Sequence, residues 1–402
     1  MTAVCVSCGL QEIGGGAGAE DEVWNGPGSS VSGPGQGSGK KVWYAVGVDY
    51  PAGYDWVSDV EKGSVRCSLV VFANGVPMLK LPVGDDHEIS ADPDMHRMIG
   101  GSLYTDFSTS DRTVVKKDGK FLFEYPAREA IVDAAAAGDD LYTLGQSRTG
   151  KGFAFRRNGE VLLERSSGYA FPDVFPCESG GYAFAFCETV DSQKELVERY
   201  YLYADGKVSQ VAVREDIRKV WDVVLHDGKI CCVATLTGIT GPVLIAGDEM
   251  TVLEMPVSSK MEGCRFVCGE RLYIEGLVSQ KGKAMYSVLW EGANIVKAFG
   301  PGYAVSGVGA WGDALSCVLN SPMRLMDGII YRCGESIKMP RGYMSMGGKT
   351  LEMIDGILYV GLTSTDGDGA AVWIDGDMKP LKINGFISNM SSGQSSQLTV
   401  RD

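Results

Sequence analysis

The densest group of side chains suited to acid–base or cation chemistry lies between residues 85 and 96. This stretch reads DDHEISADPDMH, with five carboxylates within ten residues and two of the three histidines. Carboxylate oxygens bind hard cations, and a carboxylate can act as a general acid or base. The spacing matches no metal motif, and an acidic loop that is only solvated explains the same residues. We therefore take Asp86, His87 and His96 as candidate binding residues and predict no metal and no cofactor.

A second candidate is the aromatic segment 50–56, YPAGYDW, which holds Tyr50, Tyr54 and Trp56. Aromatic side chains exposed in a loop cost solubility, so a ligand that covers them is one explanation. The other is that the loop folds back over the edge of a neighbouring sheet.

The third candidate is a set of tyrosines that each follow a glycine at the expected start of an innermost strand, in phase with a repeat described below: Tyr169, Tyr303 and Tyr343. Phenol rings stack on sugar rings or peptide side chains and leave the hydroxyl for a ligand or water. The same rings could instead be wedges that pack neighbouring repeat units together.

Other chemistries have little support. The chain has no G-x-S-x-G or HExxH motif and no phosphate-binding glycine loop. The net charge of −14 argues against nucleic acid, whose phosphates require a basic surface. No apolar run is long enough to cross a membrane. The eleven cysteines are scattered and fall mostly in apolar stretches such as ICCVATL, which predicts buried free thiols.

The elements that must position these candidates are short strands joined by two-residue turns. The segment GFAFRRNGEVLLERS shows the pattern, because Asn158-Gly159 between apolar runs is a strong hairpin signal. Equivalent turn glycines recur 40 to 47 residues apart, at Gly75, Gly119, Gly159, Gly206, Gly247, Gly292, Gly334 and Gly376. Eight units of this length, with four strands each, predict an all-β, eight-bladed β-propeller of four-stranded antiparallel blades.

The two ends of the repeat predict how the ring closes. The chain enters at KVWYAVG, which aligns with the second strand of other units, so blade 1 lacks its innermost strand. We predict that Gln397–Asp402 supplies it alongside Trp43–Val46, so that both ends of the chain share blade 1. The predicted domains are a Gly/Ser/Pro-rich tether at 1–39 and a single propeller at 40–402.

Within each unit, both tight turns lie on one side of the disc, the turn face. The connections between blades and between the second and third strands lie on the other side, the loop face. These connections are longer and more variable, so we expect a binding site there, around the mouth of the central channel.

The sequence VCVSCG at residues 4–9 resembles the lipobox of bacterial lipoproteins, and the repeat resembles propeller lipoproteins of Bacteroidetes-type bacteria. The resemblance implies lipid attachment at Cys8 and export to the periplasm or cell surface. Without that processing, Cys5 and Cys8 form a loose CxxC pair and the protein would be cytoplasmic.

From these observations we expect a non-enzymatic binding module that recognises a glycan or a protein on the loop face. It would touch no nucleic acid, and a membrane only through the lipid. The alternative is a polysaccharide-active hydrolase or lyase that uses acidic residues at the channel mouth. A scaffold without a small ligand is a third possibility, and the fold by itself does not choose among the three.

Overall fold

The structure is a computed structural model. It describes residues 41–51, 67–83, 96–99, 101–108, 112–126, 129–147, 151–177, 180–192, 195–211, 216–320, 328–347, 349–365 and 369–394. Every regular element in these ranges is a β-strand, and no helix there is long and apolar enough to cross a membrane.

The strands form eight antiparallel sheets arranged in a ring, which confirms the predicted eight-bladed β-propeller. Each blade runs from an innermost strand at the central channel to an outermost strand at the rim. Blade 1 consists of β33 (Gly385–Gln394), β1 (Lys41–Asp49), β2 (Cys67–Ala73) and β3 (Val76–Val83). Blade 2 consists of β4 (His96–Ile99), β5 (Ser102–Ser108), β6 (Arg112–Lys117) and β7 (Lys120–Pro126). Blade 3 consists of β8 (Glu129–Ala137), β9 (Asp140–Ser147), β10 (Phe153–Arg157) and β11 (Glu160–Arg165). Blade 4 consists of β12 (Tyr169–Pro176), β13 (Tyr182–Ser192), β14 (Glu195–Ala204) and β15 (Lys207–Gln210).

The second half of the ring repeats the arrangement. Blade 5 consists of β16 (Ile217–His226), β17 (Lys229–Leu236), β18 (Pro242–Ala246) and β19 (Glu249–Val252). Blade 6 consists of β20 (Ser259–Cys268), β21 (Leu272–Gln280), β22 (Tyr286–Glu291) and β23 (Asn294–Ala298). Blade 7 consists of β24 (Ala304–Trp311), β25 (Ala314–Asn320), β26 (Ile329–Arg332) and β27 (Glu335–Lys338). Blade 8 consists of β28 (Tyr343–Met344), β29 (Leu351–Ile354), β30 (Ile357–Ser364), β31 (Ala370–Ile374) and β32 (Asp377–Leu381). Here β28 and β29 both pair with β30, so the inner strand of this blade is in two parts.

The recurrent Asx-Gly turn has a local physical cause. Asn158 and Gly159 have φ of 51° and 87°, as a type I′ turn requires. The Asn158 side-chain oxygen also accepts a hydrogen bond from the backbone N–H of Leu141 at 2.8 Å, which ties the turn to the second strand of its blade. Asp118 does the same for Leu103 at 2.8 Å. A short side-chain acceptor that tolerates positive φ therefore suits this position in many blades.

Ring closure follows the predicted principle, but the predicted segment was wrong. The strand beside β1 is β33, with Trp43 opposite Ser392 and Val46 opposite Asn389. Gln397–Asp402 lies outside the described residues. The C-terminal strand therefore begins at Gly385, twelve residues before its predicted start at Gln397.

The core lies between blades rather than in one central mass. Phe155 of blade 3 and Phe184 of blade 4 have ring centroids 4.8 Å apart, and both side chains are fully buried. All nine described cysteines are free, and six of them are buried. This confirms the prediction of free thiols that pack as small apolar residues.

Candidate functional site

Charged side chains from several blades converge on the central channel, although inner strands are otherwise mostly apolar. Six residues from six different blades form this group, which we call the charged ring: Arg97, Asp133, Asp173, Asp222, Arg265 and Lys349. Two of the aspartates directly follow a β-bulge, where the register shifts between Ile131 and Asp133 in β8 and between Val220 and Asp222 in β16. A bulge re-aims the side chains beside it, which lets an aspartate interrupt an apolar strand.

Asp133 is the most completely paired member of the charged ring. Its buried carboxylate forms an ion pair with Arg97 and accepts the backbone N–H of Val174 in blade 4 at 2.6 Å. The ammonium of Lys349, from blade 8, lies 3.4 Å from the same carboxylate. Burial by itself would raise the pKa of Asp133, but attraction to Arg97 and Lys349 outweighs burial and holds the pKa below its ordinary value. Blades 8 and 3 are not neighbours, so the Lys349 contact spans the channel.

Asp222 has the opposite electrostatic character. Its carboxylate accepts backbone N–H groups from Val223 at 2.8 Å and from Phe266 of blade 6 at 2.6 Å, and the residue is buried. Burial and the nearby charge of Asp173 raise the pKa of Asp222 to about 8, and no cation in the described part of the chain forms an ion pair with it. Like Asp133, it joins its own inner strand to that of the next blade.

The raised pKa of Asp222 predicts a specific pH dependence of stability. The folded protein keeps this proton between its unfolded pKa of 3.8 and about 8, so this carboxyl makes the protein less stable as pH rises through that window. Asp222→Asn keeps an acceptor for Phe266 and removes the titration. We expect urea unfolding to show that the wild type loses at least ~1.4 kcal/mol more than the variant between about pH 5 and about pH 8. Equal losses in the two proteins would contradict the assignment.

Asp173 is the carboxylate of the charged ring that is most available to a ligand. Solvent reaches its side chain, and within the described part of the chain it has no hydrogen-bond or ion-pair partner. Protein atoms nevertheless surround it on the channel wall, and this crowding, with the charge of Asp133, raises the pKa of Asp173. The positive charges of Lys349 and Arg265 act in the opposite direction and lower the pKa of Asp173.

A cavity of about 350 Å³ adjoins Arg265, between the inner strands of blades 6 and 7. Its polar wall is a chain of contacts in which Ser287 donates to Glu275 at 2.9 Å and the Arg265 Nε donates to the other Glu275 oxygen at 3.2 Å. The Arg265 side chain is 40% exposed, and its two terminal nitrogens have no acceptor among the described residues. The cavity therefore presents unused hydrogen-bond donors beside the charged ring.

The predicted tyrosines take structural positions. Tyr169, Tyr303 and Tyr343 are half-buried and pack against the clusters between blades. Tyr169 lies edge-on to Phe171 at 5.7 Å, and burial raises the pKa of its phenol. Tyr50 is half-buried beside Phe386, with ring centroids 6.3 Å apart. These contacts agree with the wedge interpretation, and ligand binding at these rings stays a prediction.

His96 does not belong to an acidic loop. It opens β4, pairs with Thr105 and is 1% exposed, so it is part of the blade 2 wall. Tyr54, Trp56, Asp86, His87 and Cys8 lie outside the described residues. No group of three metal-ligating side chains occurs in the part of the chain that the structure describes.

The charged ring was not predicted from the sequence, although the sequence carries a signal for it. Asp133, Asp173 and Asp222 interrupt the apolar segments IVDAAAA, FPDVF and VWDVVL in three successive units. Each lies five to seven residues before the first turn glycine of its unit, at Gly138, Gly180 or Gly228. A recurrent aspartate inside an inner strand is thus detectable from its phase in the repeat.

The fold and the charged ring together define an eight-bladed β-propeller with a polar channel. No protein-family model and no curated sequence matches this chain. Among solved structures, it is similar to the dihydro-heme d1 dehydrogenase NirN in complex with DHE, with 12% identity, a TM-score of 0.50, and coverage of 87% of this chain and 74% of that one. It is also similar to the β-propeller domain of the Trilobed protease from Pyrococcus furiosus (12% identity, TM-score 0.45, 75% and 92% coverage). A third similar structure is Citrobacter koseri AztD (10% identity, TM-score 0.46, 90% and 100% coverage). At 12% identity, the similarity to NirN supports the fold alone.

Proposed function

We propose that the protein is a non-enzymatic binding module that receives part of a glycan or protein ligand at the charged ring. The observation that carries the proposal is Asp173, a solvent-accessible carboxylate without a partner among the described residues. It lies on the channel wall near two partly exposed cations, Arg265 and Lys349. Such a group offers both donors and acceptors to a polar ligand.

The arrangement favours binding over catalysis. General acid–base cleavage of a polysaccharide uses two carboxyl groups that both reach the substrate. The oxygens of Asp133 and Asp222 are occupied by backbone N–H groups and, for Asp133, by Arg97. Asp173 then remains the accessible carboxylate of the described charged ring, and one such group supports recognition better than a hydrolase or lyase mechanism.

Glycan and peptide arrays with matched variants test the proposal. Asp173→Asn preserves shape and removes the charge, so we expect it to weaken binding of any ligand found with the wild type by at least about tenfold. Asp248→Asn is the matched control, because Asp248 is exposed at a tight turn on the turn face. Equal binding by the wild type and Asp173→Asn would remove the charged ring from the site. Release of shortened glycans by the wild type would favour the enzymatic alternative.

We also propose export of the protein and a lipid on Cys8, on the basis of VCVSCG and the Gly/Ser/Pro-rich stretch after it. The mass of the native N-terminal peptide tests this, since an unmodified Met1 or Thr2 at the mature terminus excludes the lipid.

A further inference from the structure

We propose that the ligand group received by the charged ring is the ammonium of a lysine side chain, and that Lys349 holds its place in the free protein. This inference rests on the proposed function and specifies the chemistry of the same site. It follows from the position of Lys349, from the small contribution of the Lys349–Asp133 ion pair to stability, and from the charge balance of the channel.

The backbone around Lys349 is firmly held, so only its side chain extends across the channel. The residue lies in the interruption between β28 and β29, and its carbonyl accepts the backbone N–H of Met390 in blade 1 at 2.7 Å. The next residue, Thr350, is buried, and its hydroxyl lies 2.9 Å from that of Ser345. Because the backbone is anchored, the Lys349 side chain can leave its contact with Asp133 while blade 8 stays intact.

The ion pair between Lys349 and Asp133 is weak. Asp133 already has the buried Arg97 guanidinium and the Val174 N–H as partners, so Lys349 is a second cation on a paired carboxylate. The Lys349 side chain is 54% exposed, and its ammonium lies 3.4 Å from the carboxylate. An ion pair this exposed contributes about 0–1 kcal/mol, which a ligand can replace.

The charge balance selects a cation as the replacement. Arg97 is paired with Asp133, Arg265 is paired with Glu275, and Asp222 holds its proton near neutral pH. The remaining charges of the ring are the negative Asp173 and the positive Lys349. With Glu275 counted, an ammonium that displaces Lys349 keeps this group of side chains neutral, whereas an anion would leave Asp173 uncompensated. The net charge of −14 also attracts a cationic ligand to the protein.

The shape of the present occupant argues for lysine rather than an amino sugar. A lysine arm already reaches this position through the channel, so the space accepts a slender four-carbon chain with an ammonium at its end. A sugar ring is wider than this alkyl chain and would need more space at the same position. The partner is therefore a protein or peptide that presents a lysine at the channel mouth.

Isothermal titration with Nα-acetyl-L-lysine amide tests the inference directly. Lys349→Met removes the competing ammonium, and we expect it to bind the probe up to about sixfold more tightly than the wild type, as expected if Lys349 occupies the site about five-sixths of the time. Adding Asp173→Asn should abolish that binding. Nα-acetyl-L-norleucine amide, which lacks the ammonium, should not bind any of these proteins. Lys207→Met, on the exposed outermost strand of blade 4, is the control and should behave as the wild type.

Three outcomes would overturn the inference: no gain in Lys349→Met, the same gain in Lys207→Met, or equal affinity for glucosamine and the lysine probe. Lys349→Gln provides a second variant if the methionine variant does not fold. The arrays separate this failure from that of the proposed function. If Asp173→Asn still loses an array ligand while the lysine probe never binds, the ammonium assignment fails and the binding module stands. If neither assay depends on Asp173, both fail.

Discussion

Truncation after Asn384, which removes β33, is expected to prevent the protein from reaching a stable folded ring. The strand pairs with β1 at nine positions, and its side chains Ile387 and Met390 are almost completely buried in the core between blades 8 and 1. Losing a large buried side chain typically costs about 2–5 kcal/mol, so losing the strand costs roughly as much as the ~5–15 kcal/mol that stabilise a typical domain. The measurement is thermal unfolding by circular dichroism, together with size-exclusion chromatography of the soluble fraction.

The informative control is a truncation after Ser396. It removes Gln397–Asp402, which the repeat pattern suggested as the closing strand, and leaves β33 complete. We expect its melting temperature to lie close to that of the full chain. A large decrease for this shorter truncation, or a near-native melt after loss of β33, would show that the ring is closed elsewhere.

Arg97→Met is expected to have the next largest effect on stability. The substitution removes the guanidinium from a buried ion pair in which both side chains are about 5% exposed, and among the described residues it leaves the Asp133 carboxylate with Lys349 as its one remaining cation. Removing one partner of a buried ion pair typically costs about 3–5 kcal/mol of stability, because the remaining charge stays desolvated. Urea unfolding at neutral pH measures this loss.

The pH dependence and a double variant identify the cause of that loss. In the wild type, the lowered pKa of Asp133 contributes stability that is present above 3.8 and lost as pH falls below it. In Arg97→Met, burial dominates and raises the pKa of Asp133. The loss of stability relative to the wild type should therefore shrink as pH falls from neutral toward about 4. Adding Asp133→Asn, which keeps an acceptor for Val174, should recover more than half of the lost stability. A deficit that is constant with pH and unaffected by the second substitution would indicate lost packing instead.

The repeat was predictable because its determinants are local. An Asn or Asp that tolerates positive φ and caps the second strand is required where Asn158 and Asp118 lie, so the turn residues mark the blades along the chain. The closing strand was harder to place because the inner strand of blade 8 is in two parts, β28 and β29, whereas β33 is continuous from Gly385 to Gln394.

The candidate site was not predictable in the same way because its contacts join distant parts of the ring. Lys349 and Asp133 are 216 residues apart in the chain, and they meet only because both inner strands line one channel. Loop composition instead drew attention to His96, whose place in β4 is set by pairing with Thr105 rather than by its acidic neighbours. The tyrosines after glycine were correctly located in phase with the blades, but their half-burial depends on the packing of neighbouring sheets.

The way β1 and β33 pair also determines how the protein would respond to mechanical load. The two strands are antiparallel, and Lys41 lies opposite Gln394 at one end of the ladder. Force applied at these two residues would therefore open the ladder one pair at a time, like a zipper, rather than shear all nine pairs together. Blade 1 is thus the place where a pull between the ends of the propeller would first tear the disc.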